Sequence, residues 1–207
     1  MKRIGLTGGI GCGKSTVVAE LRRLGISCFV ADEVARSYYS DGSFVSDVED
    51  ALGEKFCTAD GTVDRKAIAR KVFSDRRQLD TLNRLVHPRV MSDFGIWCAE
   101  RQHEPVVFFE SAILFEYGLD RMMDAVVTVF LERGERIRRL LQRDKCSVND
   151  IETRMRNQLP DEQKAMLSDY VILNYEGNPR ARQVKFIVDK ICKPCQCQFN
   201  PKTGKIR

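Results

Sequence analysis

No apolar run in this 207-residue chain approaches the roughly 20 residues of a membrane-spanning helix, so no span is expected. Internal repeats and low-complexity linkers are also missing, which excludes solenoids and tandem arrays. A strong charge of one sign is lacking: 34 basic against 29 acidic residues leave +5. The basic residues are spread out and there is a single tryptophan, Trp97, which argues against a nucleic-acid surface. The N-terminus carries two basic residues but runs directly into a glycine loop, so no secretory signal is expected. Eight cysteines do not make a disulfide framework here. Cys12, Cys28, Cys57, Cys98 and Cys146 stand singly, and Cys192, Cys195 and Cys197 cluster at the tail, a pattern that fits reduced thiols in a cytoplasm. What remains is an ordinary globular composition, 43% hydrophobic and 30% charged, long enough for one α/β domain with excursions.

The strongest feature present is Gly8-Gly9-Ile10-Gly11-Cys12-Gly13-Lys14-Ser15-Thr16, placed after a short apolar run and before a helical pattern. The spacing Gly8-x-x-x-x-Gly13-Lys14-Ser15 is that of a P-loop. Glycines let the backbone bring its N–H groups against phosphate oxygens, and the helix start behind them adds unpaired donors. Lys14 reaches the β- and γ-phosphates, and the Ser15 hydroxyl suits Mg²⁺. The chain is therefore expected to bind a nucleoside triphosphate.

Strands are expected at 3–7, 26–31, 106–109, 125–131 and 169–174, with helices at 14–24 and 179–191. Between the second and third strands the pattern is helical: 49–56, 65–73 and 77–86, with His87-Pro88 ending one helix before another runs to about Arg101. Such a long excursion suits an inserted substrate-binding region. Several residues carry two readings. Asp32, at the end of the second strand, suits a general base or a helix start. Glu110 and Glu116 suit water-mediated Mg²⁺ orientation or capping. His87 reads as a helix-end residue or a site residue. Arg136, Arg139 and Arg143 share one helical face, opposite Ile137, Leu140 and Leu141, either as a solvated row or as arginines of a mobile flap. Cys12 reads as an activated thiol or as a small residue filling a serine-sized slot. The tail thiols read as a zinc site lacking a fourth ligand or as a flexible terminus.

Taken together, the motifs resemble the dephospho-CoA kinase family. Leu6-Thr7-Gly8-Gly9-Ile10-Gly11 is similar to its opening, and Ala31-Asp32-x-x-Ala35-Arg36 to its next motif. Leu82-x-x-x-x-His87-Pro88, Leu114-Phe115-Glu116, Arg139-Leu140-x-x-Arg143-Asp144, Arg154-x-x-x-Gln158, Lys164 and Asp169-Tyr170-Val171-Ile172-x-Asn174 follow in the family's order, over about residues 3–190. The resemblance implies an α/β, three-layer P-loop kinase fold with a five-stranded parallel sheet, a helical acceptor-binding insertion and a basic helical lid. It implies a nucleotide-binding core at 1–33, 105–131 and 168–191, an acceptor domain at 34–104, a lid at 132–167 and a flexible tail at 192–207. It implies ATP and Mg²⁺, with dephospho-CoA as small-molecule acceptor, in a cytoplasmic monomer or small homo-oligomer.

By position, Asp32, Lys14 and Arg139 become the catalytic group, with Asp32 as base. Gly9, Gly11, Cys12, Gly13, Lys14, Ser15, Thr16, Arg143 and Asn174 become nucleotide ligands, and Thr7, Asp32, His87 and Arg154 acceptor contacts, with Ser15 on the metal. The chain departs from the family pattern at Val30 of Val30-Ala31-Asp32, where Asp-Ala-Asp is usual, and at Ala112, where proline is usual. The alternatives are a kinase for another small molecule, such as a nucleoside monophosphate, a GTP-dependent switch, and a nucleic-acid-dependent ATPase. Neither Asn-Lys-x-Asp nor an Asp-x-x-Gly after the third strand is present to support the switch.

Overall fold

The computed structural model describes residues 1–58, 62–144, 147–192, 199–200 and 205–206. Five strands, β1 (Lys2–Thr7), β2 (Cys28–Val30), β3 (Val106–Glu110), β4 (Ala125–Phe130) and β5 (Tyr170–Leu173), form one sheet in the order β2-β3-β1-β4-β5. Every pairing in it is parallel. The strands are short and, apart from the exposed Lys2 and Arg3 that open β1, mostly apolar with many β-branched and aromatic residues, as suits a sheet covered by helices on both faces. On one face Ile4, Leu6, Phe108, Val127 and Val129 pack against α1 (Lys14–Arg23) and the last helix. On the other, Phe29, Val107, Phe109 and Val126 pack against a long helix that follows the excursion. The result is the expected three-layer α/β fold.

The excursion comprises α2 (Ala31–Ser37), α3 (Gly42–Leu52), α4 (Arg65–Ser74) and α5 (Arg76–Ala99). It has its own core of Phe44, Val48, Leu52, Phe56, Ile68 and Val72. Beyond β4 come α6 (Arg133–Asp144), α7 (Val148–Arg156) and α8 (Asp161–Leu167), and α9 (Arg180–Cys192) follows β5. In the tail Phe199–Asn200 pairs antiparallel with Lys205–Ile206, whereas Cys195 and Cys197 lie outside the described residues, as does Cys146.

Three local expectations are corrected. The helix expected at 49–56 runs instead from Gly42 to Leu52, because the Asp41 carboxylate accepts the Ser43 N–H at its start and Gly53, at φ 66°, turns the chain out of it. The second strand spans only Cys28–Val30 and α2 starts directly after it, so Asp32 lies just past the carboxyl end of β2 and in the first turn of α2. His87-Pro88 ends nothing. α5 runs 24 residues straight through Pro88, although proline removes one helical N–H. Leu79, Leu82, Leu85 and Val86 dock on the excursion core, and Val90, Phe94 and Cys98 on the sheet. Burial on both sides of the proline, worth about 1.5–3 kcal/mol per large side chain, outweighs the lost bond.

Candidate active site

The sheet order makes β1 the strand between β3 and β4, and the phosphate loop leaves its carboxyl end. Gly13 lies at φ 95°, a conformation side chains disfavour, and a Cβ there would stand 2.2 Å from Asn174 Nδ2. The N-cap of α1 is Gly13, which has no side chain to cap the helix, so among the described residues that end is available to an anion. Gly9 is required for a different reason: a Cβ on it would meet Arg136 Nη1 at 2.0 Å.

Lys14 Nζ donates to the Gly8 carbonyl at 2.9 Å and stands 3.7 Å from a Glu110 oxygen. Burial works against its charge, but Cys12 and the carboxylates of Glu110, Asp32 and Asp161 outweigh it and hold the pKa above the ordinary lysine value. Glu110 is buried at the end of β3, and burial pushes its pKa up against the pull of Lys14. The register Val30↔Glu110 sets the end of β2 beside it, so Asp32 enters the same electrostatic cluster. Unlike Glu110, Asp32 is exposed and makes no hydrogen bond or ion pair among the described residues. Ser15, one residue past Lys14, is also exposed.

Other expected ligands are engaged with the protein itself. Asn174 is buried. Its Nδ2 donates to the Cys12 carbonyl at 2.6 Å, and its Oδ1 accepts from Arg180 at 2.7 Å. It braces the loop from behind. Thr7 is fully buried, and its hydroxyl finds no partner among the described residues. Cys12 is buried too, and burial pushes its thiol up, so the activated-thiol reading gives way to a small side chain filling a slot beneath Gly8. Thr16, whose N–H donates to Gly13 at 3.1 Å, closes the first turn of α1.

Arg139 bonds Glu135 at 2.9 Å and reaches the Asn174 carbonyl at 3.4 Å. It lines a cleft of about 630 Å³ with Glu20, Arg138, Tyr175, Gly177 and Arg180, a size that suits a nucleoside. Arg143 and Arg154 both contact Asp144, at the far end of α6. Glu116 is tied to the protein through one oxygen, which takes Lys164 Nζ at 2.8 Å and the Leu159 N–H at 2.8 Å, while its other oxygen is buried without a hydrogen-bond partner among the described residues.

The reading of α6 needs correction. Its buried residues are Arg136 and Leu140, while Leu141 is exposed. Arg136 pairs with Asp161, and burial pushes the Asp161 carboxyl up against that pull. The available sequence signal was the four-residue spacing of Arg136 and Leu140, which puts both on one helical face.

His87, half-buried on α5, sets its ring edge-on to Tyr117 at 4.2 Å. The Tyr117 hydroxyl accepts from Asn83 and donates to Asp80, which ties the segment after β3 to α5. Burial lowers the His87 pKa below its ordinary 6.5. The unfolded chain therefore binds this proton more readily than the folded one. The stability from neutral His87 is present above pH 6.5 and is lost as pH falls through the lower folded value. Thermal melts between about pH 5 and 7.5 should show a positive slope that flattens in H87Q; an unchanged slope in that variant would remove His87 as its source.

A glycine loop at the carboxyl end of the central strand, with a lysine and carboxylates converging on it and a helical excursion alongside, defines a P-loop kinase. A family model described as dephospho-CoA kinase matches residues 2–179. The dephospho-CoA kinase of Corynebacterium glutamicum is 38% identical over 177 residues, covering 84% of this chain and 88% of that one. A crystal structure of TT1252 from Thermus thermophilus superposes with a TM-score of 0.80 at 30% identity, over 93% of this chain and 98% of that one. Dephospho-CoA kinase from Campylobacter jejuni, 21% identical, shares the fold at a TM-score of 0.58 over 92% of this chain and 97% of its own. The chain belongs to the dephospho-CoA kinase family.

Proposed function

We propose that this chain transfers the γ-phosphate of ATP to the ribose 3′-hydroxyl of dephospho-CoA, giving coenzyme A and ADP, the last step of coenzyme A synthesis. The observation that carries the reading is the cluster of Lys14, Glu110 and exposed Asp32 at the carboxyl ends of β1, β3 and β2, beside the excursion. Family membership supports it.

Phosphoryl transfer asks a protein mainly to position two oxygens in line and to neutralise charge. Gly9, Gly11, Cys12, Gly13, Ser15 and Thr16 supply the cradle. Lys14 holds the β- and γ-phosphates, and Asp32, without a hydrogen-bond or ion-pair partner among the described residues, accepts the proton of the acceptor hydroxyl. The exposed Ser15 hydroxyl is a hard oxygen donor that fits Mg²⁺, and Glu110 at the end of β3 would orient that ion through water. Bound with the nucleotide, that ion would neutralise charge across the β- and γ-phosphates. Arg139 lines the cleft assigned to the nucleoside, and Arg143 and Arg154 are assigned to the lid at 132–167. The 34–104 region, with His87, is the acceptor domain, and the rest of the sheet is the nucleotide core.

Among the described residues Cys12, Cys28, Cys57, Cys98 and Cys192 are free thiols, which supports a reducing cytoplasm. No helix of the described residues is long and apolar enough to cross a membrane. We assign a monomer or small homo-oligomer acting on small molecules and no nucleic acid. Incubation with Mg-ATP and dephospho-CoA should yield coenzyme A and ADP, read by chromatography. ADP formed only with nucleoside monophosphates would move the assignment to another kinase of this fold.

A further inference from the structure

Two backbone N–H groups at the rim of the phosphate loop are held by side chains from the α7–α8 region. Gly9 N–H donates to Asp161 Oδ1 at 2.8 Å, and Ile10 N–H donates to Gln158 Oε1 at 2.9 Å. The other Asp161 oxygen stands 2.7 Å from Arg136 Nη1 as an ion pair, without hydrogen-bond alignment. Asp161 is 2% exposed and Arg136 7%, so this ion pair is largely removed from water.

A buried ion pair is a poor device for stability alone, since its desolvation offsets most of its attraction and apolar residues serve as well. Its placement points elsewhere. The loop is rich in glycine, with Gly8, Gly11 and Gly13 all at positive φ, and has few side chains of its own to restrict it. Fixing such a backbone has an entropic cost of about 1–2 kcal/mol per residue. If the cost were met only when phosphate arrives, nucleotide affinity would fall accordingly. Asp161 and Gln158 order two consecutive rim residues beforehand, and Arg136 fills the space next to Gly9 that any side chain would need.

We propose that Asp161 and Gln158 are positioning residues for the donor nucleotide, holding Gly9 and Ile10 so that the loop is set to receive phosphate, with Arg136 fixing the Asp161 carboxylate in place. The inference rests on the nucleotide reading above. It does not need Arg136 or Asp161 to touch the nucleotide. Their effect passes through the loop backbone, so it belongs in ATP affinity and not in the chemical step.

The test combines MgADP calorimetry, initial-rate kinetics and thermal melts on Q158L, R136M/D161N and R136M/D161L. Gln158 is half-buried, so Q158L is expected to fold. It should weaken MgADP binding and raise the KM for ATP about tenfold, the value of one well-made hydrogen bond, while kcat at saturating ATP and the KM for the acceptor move less than about twofold. R136M/D161N removes both charges but keeps a carbonyl oxygen for the Gly9 N–H, so it should recover most of the wild-type affinity. R136M/D161L, with the same neutral pair but no acceptor, should bind about tenfold more weakly than the Asn pair. Variants that differ in melting temperature while binding MgADP like the wild type would overturn the proposal. A fall in kcat at unchanged affinity would do so too, because the groups would then act on the transition state. Wild-type protein that fails to bind MgADP would overturn the nucleotide reading itself, a result separable from both.

Discussion

Replacing Asp32 by asparagine should lower turnover with dephospho-CoA by about 10²–10⁴-fold while MgATP still binds, the range for a lost general base. The expectation follows from the contrast between the two carboxylates at the site. Glu110 is buried and lies against Lys14, so its negative charge already serves to hold the phosphate lysine in its charged form. Asp32 is exposed and unpaired among the described residues, yet near enough to influence Lys14 and Glu110 electrostatically. A carboxylate with no structural partner has its lone pairs available for an incoming hydroxyl. Asparagine keeps the size and the polar character at the start of α2, so the melting temperature should change little. Steady-state kinetics with MgATP calorimetry decides the matter. Turnover near that of the wild type would remove Asp32 from the chemistry and leave Glu110 as the remaining carboxylate.

The second large effect is on stability. Lys164 is 0% exposed, and its ammonium is shared between Glu116, at 2.8 Å and 5% exposed, and the Ala112 carbonyl. Burial pulls the Lys164 pKa down, although Glu116 raises it. Lys164→Met should therefore leave the Glu116 carboxylate buried without its counter-charge, a loss of about 3–5 kcal/mol. For a chain of this length that corresponds to a fall of about 6–20 °C in melting temperature. Adding E116Q to K164M removes the stranded charge and should recover much of the loss. Urea denaturation of the single and double variants measures both. A single-variant loss below about 1 kcal/mol would mean that water reaches the pair and that its burial is not maintained in solution.

Much of this protein was legible residue by residue. The glycine loop followed from spacing, because phosphate binding demands small residues at set intervals beside a lysine. The parallel strands followed from apolar runs of uniform character, since both faces of such a sheet are covered. Even the separate helical excursion showed as a long stretch without strand signals, and the structure supplies its independent core. Local chemistry was less dependable at boundaries. Proline at 88 looked like a helix end because the local penalty is visible in sequence, whereas the burial of Val90, Phe94 and Cys98 that carries α5 onward is not.

The division between the two kinds of information falls along sequence distance. Lys14, Ser15 and the loop glycines could be expected at a phosphate site from the spacing of neighbours a few residues away, whereas Asp32 was open between base and helix start until the family resemblance favoured the base. Arg136 with Asp161, Lys164 with Glu116 and Asn174 with Cys12 could not be assigned in the same way. The Gly9–Asp161 bond joins residues 152 apart, and the Asn174–Cys12 bond residues 162 apart. An arginine on an amphipathic helix reads as solvated until the fold buries it, and the two contacts that engage both ends of the Asn174 amide come from the same closure. Local patterning determined the phosphate loop and its sheet. Only tertiary packing decided which charges are removed from water, because desolvation depends on every element that closes around a group.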